Sequence, residues 1–221
     1  MTRPIIGILG GGQLGMMLSD AANKIGITTH IYCPEKDCPA SGVSNFFTAE
    51  DYNNKDEIRK FSNQVDYITY EFENIPIETF EFVDNKKKIR PGEKSLLLTQ
   101  DRLTEKKFLE SIGIPIAPFV SIETPEDIKK AHNQFKDCII KTRTLGYDGK
   151  GQENIKNKED YDEVFKRING KSIIEKKIPF DFEVSVVMAR DIYGNICHYP
   201  IGKNVHENHI LKHTFAPIQL S

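Results

Sequence analysis

Pro4-Ile5-Ile6-Gly7-Ile8-Leu9-Gly10-Gly11-Gly12-Gln13-Leu14-Gly15 is the stretch on which the fold turns. Ile5 to Leu9 is a short apolar run bounded by proline and glycine, and it reads as a buried strand. After the glycines, Leu14, Met17, Leu18, Ala21, Ala22 and Ile25 recur close to one helical face, so residues 13–25 read as a helix. Strand, turn and helix together match G-x-G-x-x-G in its required context. Glycine lets the backbone approach an anion at the helix N-terminus, where free N–H groups and the dipole favour negative charge. The turn names no ligand by itself. A dinucleotide would want an acid at the end of the second strand, and Glu35, after Pro34, stands only roughly there. A tight strand–helix turn with no ligand is the plainer alternative.

Working outward, residues 27–32 and 65–70 read as further strands, and residues 54–63 and 77–83 as helices. This βαβαβ order predicts an α/β, Rossmann-like domain over residues 1–100, a parallel sheet covered by helices. Arg90-Pro91-Gly92-Glu93 and the residues after it read as a linker. The pattern then changes. Asp101 can cap a helix to about Ile112, with Gly113 as its stop and Pro115 beyond. Thr124-Pro125-Glu126-Asp127 is a helix start: a capping hydroxyl, proline at the first helical position, then acids that suit the dipole. Asn157 can cap another helix to about Ile168. Residues 119–122, 138–141, 172–175, 182–190, 197–199 and 210–215 read as strands, so residues 101–221 form an α+β second domain with an antiparallel sheet.

Composition narrows the function classes. The chain has 221 residues, 38% hydrophobic and 28% charged, with 30 basic and 32 acidic residues. A formal net charge of −2 gives no basic excess for nucleic acid, and Lys86-Lys87-Lys88 reads as a solvated turn. No apolar stretch reaches membrane-spanning length, so no membrane partner is expected. The chain opens directly on the first strand, so no signal peptide and a cytoplasmic location are expected. Cys33 and Cys38 lack the tight Cys-x-x-Cys spacing, and Cys138 and Cys197 stand alone, so all four read as reduced thiols.

Four further stretches carry chemistry. Thr69-Tyr70-Glu71-Phe72-Glu73-Asn74-Ile75-Pro76 falls at the carboxyl end of a predicted strand, where open α/β sheets bind ligands. Its carboxylates can accept from ligand hydroxyls or an amine, or cap the helix that follows. Ile139-Ile140-Lys141-Thr142-Arg143-Thr144-Leu145-Gly146-Tyr147-Asp148-Gly149-Lys150-Gly151-Gln152 ends a strand in lysine and continues into a loop, with three glycines and three basic residues in the stretch. Glycine N–H groups can line an anion, and Lys141 and Lys150 can meet phosphoryl oxygens. It is not a P-loop, since G-x-x-x-x-G-K-[ST] is absent and the loop leads to a strand. A polar hairpin is the structural alternative. Ile173 to Ile178, then Phe180 to Val186, reads as two strands whose connection can offer backbone to an adenine edge, with Glu183 on ribose hydroxyls. His206, His209 and His213 read as solvent-facing or ligand-contacting, and no metal site is expected there.

Taken together, Gly10–Gly15, Tyr70–Pro76, Gln100-Asp101-Arg102-Leu103-Thr104, Gly113-Ile114-Pro115, Lys141 with Gly146–Gln152, Glu175, Glu183–Val186 and Tyr199-Pro200 with His206 resemble the N5-carboxyaminoimidazole ribonucleotide synthetases, ATP-grasp ligases of purine biosynthesis. The resemblance implies a pre-ATP-grasp domain followed by an ATP-grasp domain. It implies that ATP phosphorylates bicarbonate to carboxyphosphate, whose carboxyl group passes to the amine of aminoimidazole ribonucleotide. By position it implies ATP contacts at Arg102, Lys141, Gly146, Tyr147, Asp148, Gly149, Lys150, Gly151, Gln152, Glu175, Lys176, Lys177, Ile178, Glu183 and His206. Lys150 would be catalytic, where the family often has arginine; lysine carries the charge without the bidentate fork. Gly12, Gln13, Leu14 and Glu73, with Tyr147 and Asp148, would face the ribonucleotide. A homodimer is compatible with the family.

The family's chains run on past residue 221, into the second lobe of the grasp and its magnesium ligands. The resemblance therefore implies a truncated chain, by an early stop or a split gene, with an incomplete ATP-grasp domain, weak nucleotide binding and little turnover. Other readings compete. A formate- or amino-acid-using ATP-grasp ligase would share the ATP contacts. An NAD-binding domain would use Gly10–Gly15 and leave the Lys141–Gln152 loop unexplained. A non-catalytic remnant would bind partners only.

Overall fold

The computed structural model describes residues 3–146, 150–155, 160–168, 171–207 and 210–219. The chain separates into two compact units, Met1–Ile112 and Gly113–Ser221.

The first unit runs β1 (Ile5–Leu9), α1 (Gln13–Lys24), β2 (Thr28–Cys33), β3 (Phe46–Ala49), α2 (Lys55–Gln64), β4 (Tyr67–Tyr70), α3 (Glu78–Glu81), α4 (Glu93–Thr99) and α5 (Arg102–Ser111). Its sheet has the order β3-β2-β1-β4, and the pairings β1–β2, β1–β4 and β2–β3 are all parallel. Successive side chains on a strand point to opposite faces, so one strand feeds two cores. Leu9 packs with Tyr32, Ile58, Phe61 and Ile68 on one face, while Ile8 packs with Ile31, Cys33 and Ala40 on the other. The parallel sheet predicted from the strand–helix alternation is therefore present. Its edge strand β3 is not among the strands expected from the sequence. Four residues, Phe46-Phe47-Thr48-Ala49, are too few to show a period.

One expectation is corrected here. Arg90–Glu93 and the residues after it are not a linker. The Arg90 N–H donates to the Ile68 carbonyl at 2.7 Å, and Ile89 bridges to Ile68 in parallel. Ile89, and Leu96 of α4, are fully buried in the first core. The proline and glycine that suggested a linker sit on the surface of a segment anchored on either side. The helix expected after Asp101 belongs to the first compact unit.

The second unit opens with β5 (Phe119–Ile122), α6 (Pro125–Phe135), β6 (Cys138–Thr142), β7 (Gln152–Asn154), α7 (Tyr161–Ile168) and β8 (Ser172–Lys176). These strands form an antiparallel sheet of order β5-β8-β6-β7. The predicted start of α6 is a full capping box between Thr124 and Asp127. The Asn157 cap expected for α7 lies outside the described residues. Ile122, Ile128, Cys138, Ile140, Val164 and Ile174 build the core, and burial pushes the Cys138 thiol up to about 11. There follow β9 (Glu183–Ser185), β10 (Met188–Arg190), β11 (Ile196–His198), β12 (Gly202–Glu207) and β13 (Ile210–Phe215). The strand expected over residues 182–190 is two strands, because β9 pairs with β12 whereas β10 pairs with β11. All four cysteines are free, three of them buried. Among the described residues no helix is long and apolar enough to cross a membrane.

Two measurements test the first core. Phe61 packs edge-on to His30 at 4.9 Å and against Tyr32 at 5.2 Å between ring centroids. Phe61→Ala is expected to cost about 3–5 kcal/mol in urea unfolding. Buried His30 shares a 2.9 Å hydrogen bond with Thr48 Oγ1, and burial lowers its pKa. The unfolded chain then takes up the proton first, so stability is full at neutral pH and falls as pH drops below about 6.5. The urea midpoint should drop between about pH 7.5 and about pH 5.5, and His30→Gln should reduce that drop.

Candidate functional site

In the first unit the glycine turn closes around a carboxylate of its own chain. The Gly12 N–H donates to Glu71 Oε1 at 2.9 Å. Glu71 follows directly on β4, and its backbone N–H donates to the Leu9 carbonyl at 3.1 Å. The fit requires glycine. Gly10 has φ +110°, and a Cβ there would lie 2.3 Å from Glu71 Cγ; one on Gly12 would lie 2.9 Å from Oε1. The free amide expected to hold a ligand's anion is therefore already satisfied. A pyrophosphate seated at this turn would face the Glu71 carboxylate, which weighs against the dinucleotide reading.

Beside the turn lies a cleft of about 380 Å³, lined by Gly11, Gly12, Glu35, Asp37, Tyr52 and Glu71 among others. Burial raises the pKa values of Tyr52 and of Cys33, which donates to Glu35 Oε2 at 3.0 Å, so both stay neutral. An acidic wall with neutral donors suits hydroxyls or an amine. Gln13 and Leu14 are exposed on the first turn of α1. Glu73 is exposed too, and the backbone carbonyls of Glu73 and Ile75 accept from the Gln100 side chain at 2.8 and 2.9 Å. Glu71 is one of the two carboxylates read from the sequence as ligand acceptors or helix caps; its bond to the Gly12 N–H was not foreseen. Its place just past a strand end, beside the glycine turn, was the available signal. Arg102 opens α5 behind Asp101, whose Oδ1 accepts from the N–H groups of Leu103 and Thr104.

In the second unit Lys141 Nζ donates to Glu175 Oε2 at 2.8 Å, with the side chains only 21% and 13% exposed. Lys141 stands opposite Ile173, so Glu175 is its diagonal neighbour on the adjacent strand. Two residues 34 apart in sequence thus meet through the β6–β8 register. The glycine-rich loop joins β6 to β7, and the Thr142 N–H donates to the Gly151 carbonyl at 2.8 Å. Lys150 is exposed at the end of that loop and Gly146 is half-buried. Tyr147, Asp148 and Gly149 lie outside the described residues. Lys176, Lys177 and Ile178 are exposed at and just beyond the end of β8.

Also in this unit is a cleft of about 810 Å³, lined by Gln152, Phe180, Phe182, Glu183, Lys203 and His206 among others. Gln152, Glu183 and His206, expected near one ligand, therefore share one cavity. Glu183 Oε1 stands 3.7 Å from His206 Nε2. Lys203 holds its ammonium 4.6 Å from the centre of the Phe182 ring. Lys203 and the two phenylalanines escaped the sequence reading, because their bearing on the cleft depends on how β9 pairs with β12. Among the described residues no group of three or more His, Cys, Asp or Glu is placed to hold a metal ion. The magnesium implied by the resemblance has no ligand set there.

Comparison with known proteins agrees with this layout. A ribonucleotide synthetase pre-ATP-grasp domain model matches residues 2–100, and an ATP-grasp domain model matches residues 107–221. The chain belongs to the ATP-grasp family. It is 42% identical to the bifunctional purine synthesis protein purC/E of Dictyostelium discoideum, over 97% of this chain and 22% of that protein. Among solved structures, the N5-carboxyaminoimidazole synthetase of Staphylococcus aureus complexed with ADP is 37% identical with a TM-score of 0.92, covering 100% of this chain and 60% of that one. The N5-carboxyaminoimidazole synthase of Aspergillus clavatus, in complex with ADP and 5-aminoimidazole ribonucleotide, is 25% identical with a TM-score of 0.85, covering 98% and 57%. The chain spans less than two thirds of the length of each of these relatives.

The carboxylate in the glycine turn is testable by a double-mutant cycle. Gly12 has an extended backbone with φ −71°, so Gly12→Ala probes contact rather than backbone strain. It should destabilise the chain by about 1–3 kcal/mol, and by only a fraction of that in a Glu71→Ala background.

Proposed function

We propose that this chain carries nucleotide and ribonucleotide contacts of an N5-carboxyaminoimidazole ribonucleotide synthase. In that reaction a bicarbonate oxygen attacks the γ-phosphorus of ATP, the bond from that phosphorus to the β,γ-bridging oxygen breaks, and carboxyphosphate and ADP result. The amine of 5-aminoimidazole ribonucleotide then attacks the carboxyl carbon, inorganic phosphate leaves, and the amine loses a proton. The observation that carries the reading is the half-buried Lys141–Glu175 pair at the foot of the glycine-rich loop, in the unit whose cleft joins Gln152, Glu183 and His206.

Catalysis of phosphoryl transfer is chiefly positioning and charge stabilisation. Glu175 holds the Lys141 ammonium at a fixed height beside the loop, so its charge is oriented before ATP arrives. Lys150 is the catalytic cation, neutralising charge on the transferring phosphoryl group. Gly146, Gly149, Gly151 and Gln152 offer loop backbone to the phosphates. Lys176, Lys177 and Ile178 present the chain to the adenine edge. Glu183 accepts from ribose hydroxyls, with His206 beside it. In the first unit, Gly12, Gln13, Leu14 and Glu73 take the ribonucleotide. The acidic first cleft suits its hydroxyls and amine, and Glu71 joins this set. A cytoplasmic setting accompanies a purine-biosynthetic role.

Calorimetric titration of the 221-residue chain with ADP tests the reading. ADP should bind, and Lys141→Met should weaken it by about tenfold or more, as expected for a lost charged hydrogen bond. NADH, followed by its fluorescence, should not bind. NADH binding without ADP binding would sink the proposal in favour of a dinucleotide domain. Phosphate release that responds to formate rather than bicarbonate would move the substrate class.

A further inference from the structure

We infer that Asn204 is a positioning residue that turns one oxygen of Glu183 towards the nucleotide ribose. The inference rests on the nucleotide reading above and deepens it. Asn204 lies on the central strand β12, with Glu183 directly opposite on β9 and Thr214 directly opposite on β13. The three side chains form one row across the sheet.

Their hydrogen bonds are directional. Asn204 Nδ2 donates to Glu183 Oε1 at 3.0 Å. Asn204 Oδ1 accepts from Thr214 Oγ1 at 3.0 Å and from Ser185 Oγ at 3.2 Å. The ionised Glu183 carboxylate can only accept, so it fixes the N–H₂ end of the amide towards itself and leaves the oxygen end to accept from the two hydroxyls. Asn204 is 9% exposed and cannot turn freely into solvent. Gly202, opposite Ser185, presents no side chain; a Cβ there would lie 2.6 Å from Thr214 Cγ2. That gap leaves room for Thr214 beside Asn204. Glu183 therefore keeps one oxygen on the protein, and its second oxygen is the acceptor left for the cleft. Aspartate at 204 has the same shape but would set two carboxylates side by side.

A side-chain swap separates positioning from mere support. In Glu183→Gln the carboxylate charge is lost; with Asn204 still donating, the new amide gives its oxygen to Asn204 and turns its NH₂ to the ligand. The ribose then loses its acceptor. In Asn204→Asp the two carboxylates repel and Glu183 is displaced. In the double variant, the amide at position 183 donates to the carboxylate at position 204, which still accepts from Ser185 and Thr214. An oxygen at position 183 again faces the cleft.

The test is ADP affinity by calorimetry on the full chain, with 2′,3′-dideoxy-ADP as the comparison ligand. Each single variant should weaken ADP by about tenfold, and the double variant should return to within about threefold of wild type. Dideoxy-ADP should bind all four proteins alike. If Glu183→Gln leaves ADP affinity unchanged, the placing of the ribose at Glu183 is wrong and the inference falls with it. If Glu183→Gln weakens ADP but the double variant binds no better than the singles, the ribose reading stands and the positioning role of Asn204 is overturned. Thermal melts report folding of each variant. Should Asn204→Asp not fold, Glu183→Gln against the double variant still decides. Should neither chain carrying Asn204→Asp fold, Thr214→Val decides, with weaker ADP binding expected and unchanged binding overturning the role.

Discussion

In the first unit a carboxylate occupies the place where a ligand's phosphate would be sought. Glu71 leaves the end of β4, passes beside Gly10 and accepts the N–H of Gly12 at the start of α1. That single contact ties together the end of one strand, the turn after another and the first turn of a helix. It satisfies an amide that the helix leaves unpaired and places negative charge at the positive end of the dipole. Two of the glycines follow from it, since side chains at Gly10 and Gly12 would collide with the carboxylate. The acidic character of the neighbouring cleft follows as well, and with it the preference for donors over phosphates.

The second unit works by a different constraint. Its antiparallel register, rather than a helix end, brings charged groups together. Lys141 and Glu175 meet diagonally across β6 and β8, where partial burial makes an unpaired charge costly. The β9–β12–β13 register sets Glu183, Asn204 and Thr214 in a row in the same way. Each row is polar, lies against an apolar core or a cleft, and depends on pairing between strands distant in sequence. A slip of one residue would send every one of these side chains to the opposite face.

Legibility in the sequence varied with range. The start of α6 was plain, because Thr124 and Asp127 cap each other within one turn. Asp101 was equally plain as a cap for α5. The loop from Lys141 to Gln152 stood out by composition, and its flanking strands are present. Arg90–Glu93 misled, because proline and glycine signal a turn but not whether the flanking residues are anchored; Ile89 and Leu96 are buried. The split of residues 182–190 into two strands was hidden because either strand alone has the same alternation. Asn204 was passed over, and the bond of Glu71 to Gly12 was not foreseen, because neither residue is unusual until its partner is known.

The sequence by itself determined the class of each half: a parallel sheet wound by helices, then an antiparallel α+β unit. Periodicity, caps and turn residues act over a few residues, and those are the forces that select strand or helix. It also determined that a basic, glycine-rich loop follows a lysine-ended strand. Only the tertiary structure decided what the charged groups face. Glu71 reaches back 59 residues to Gly12, Lys141 reaches 34 residues on to Glu175, and Asn204 reaches 21 residues back to Glu183. Hydrogen bonds and ion pairs act at about 3 Å, so their partners are set by strand register and sheet order.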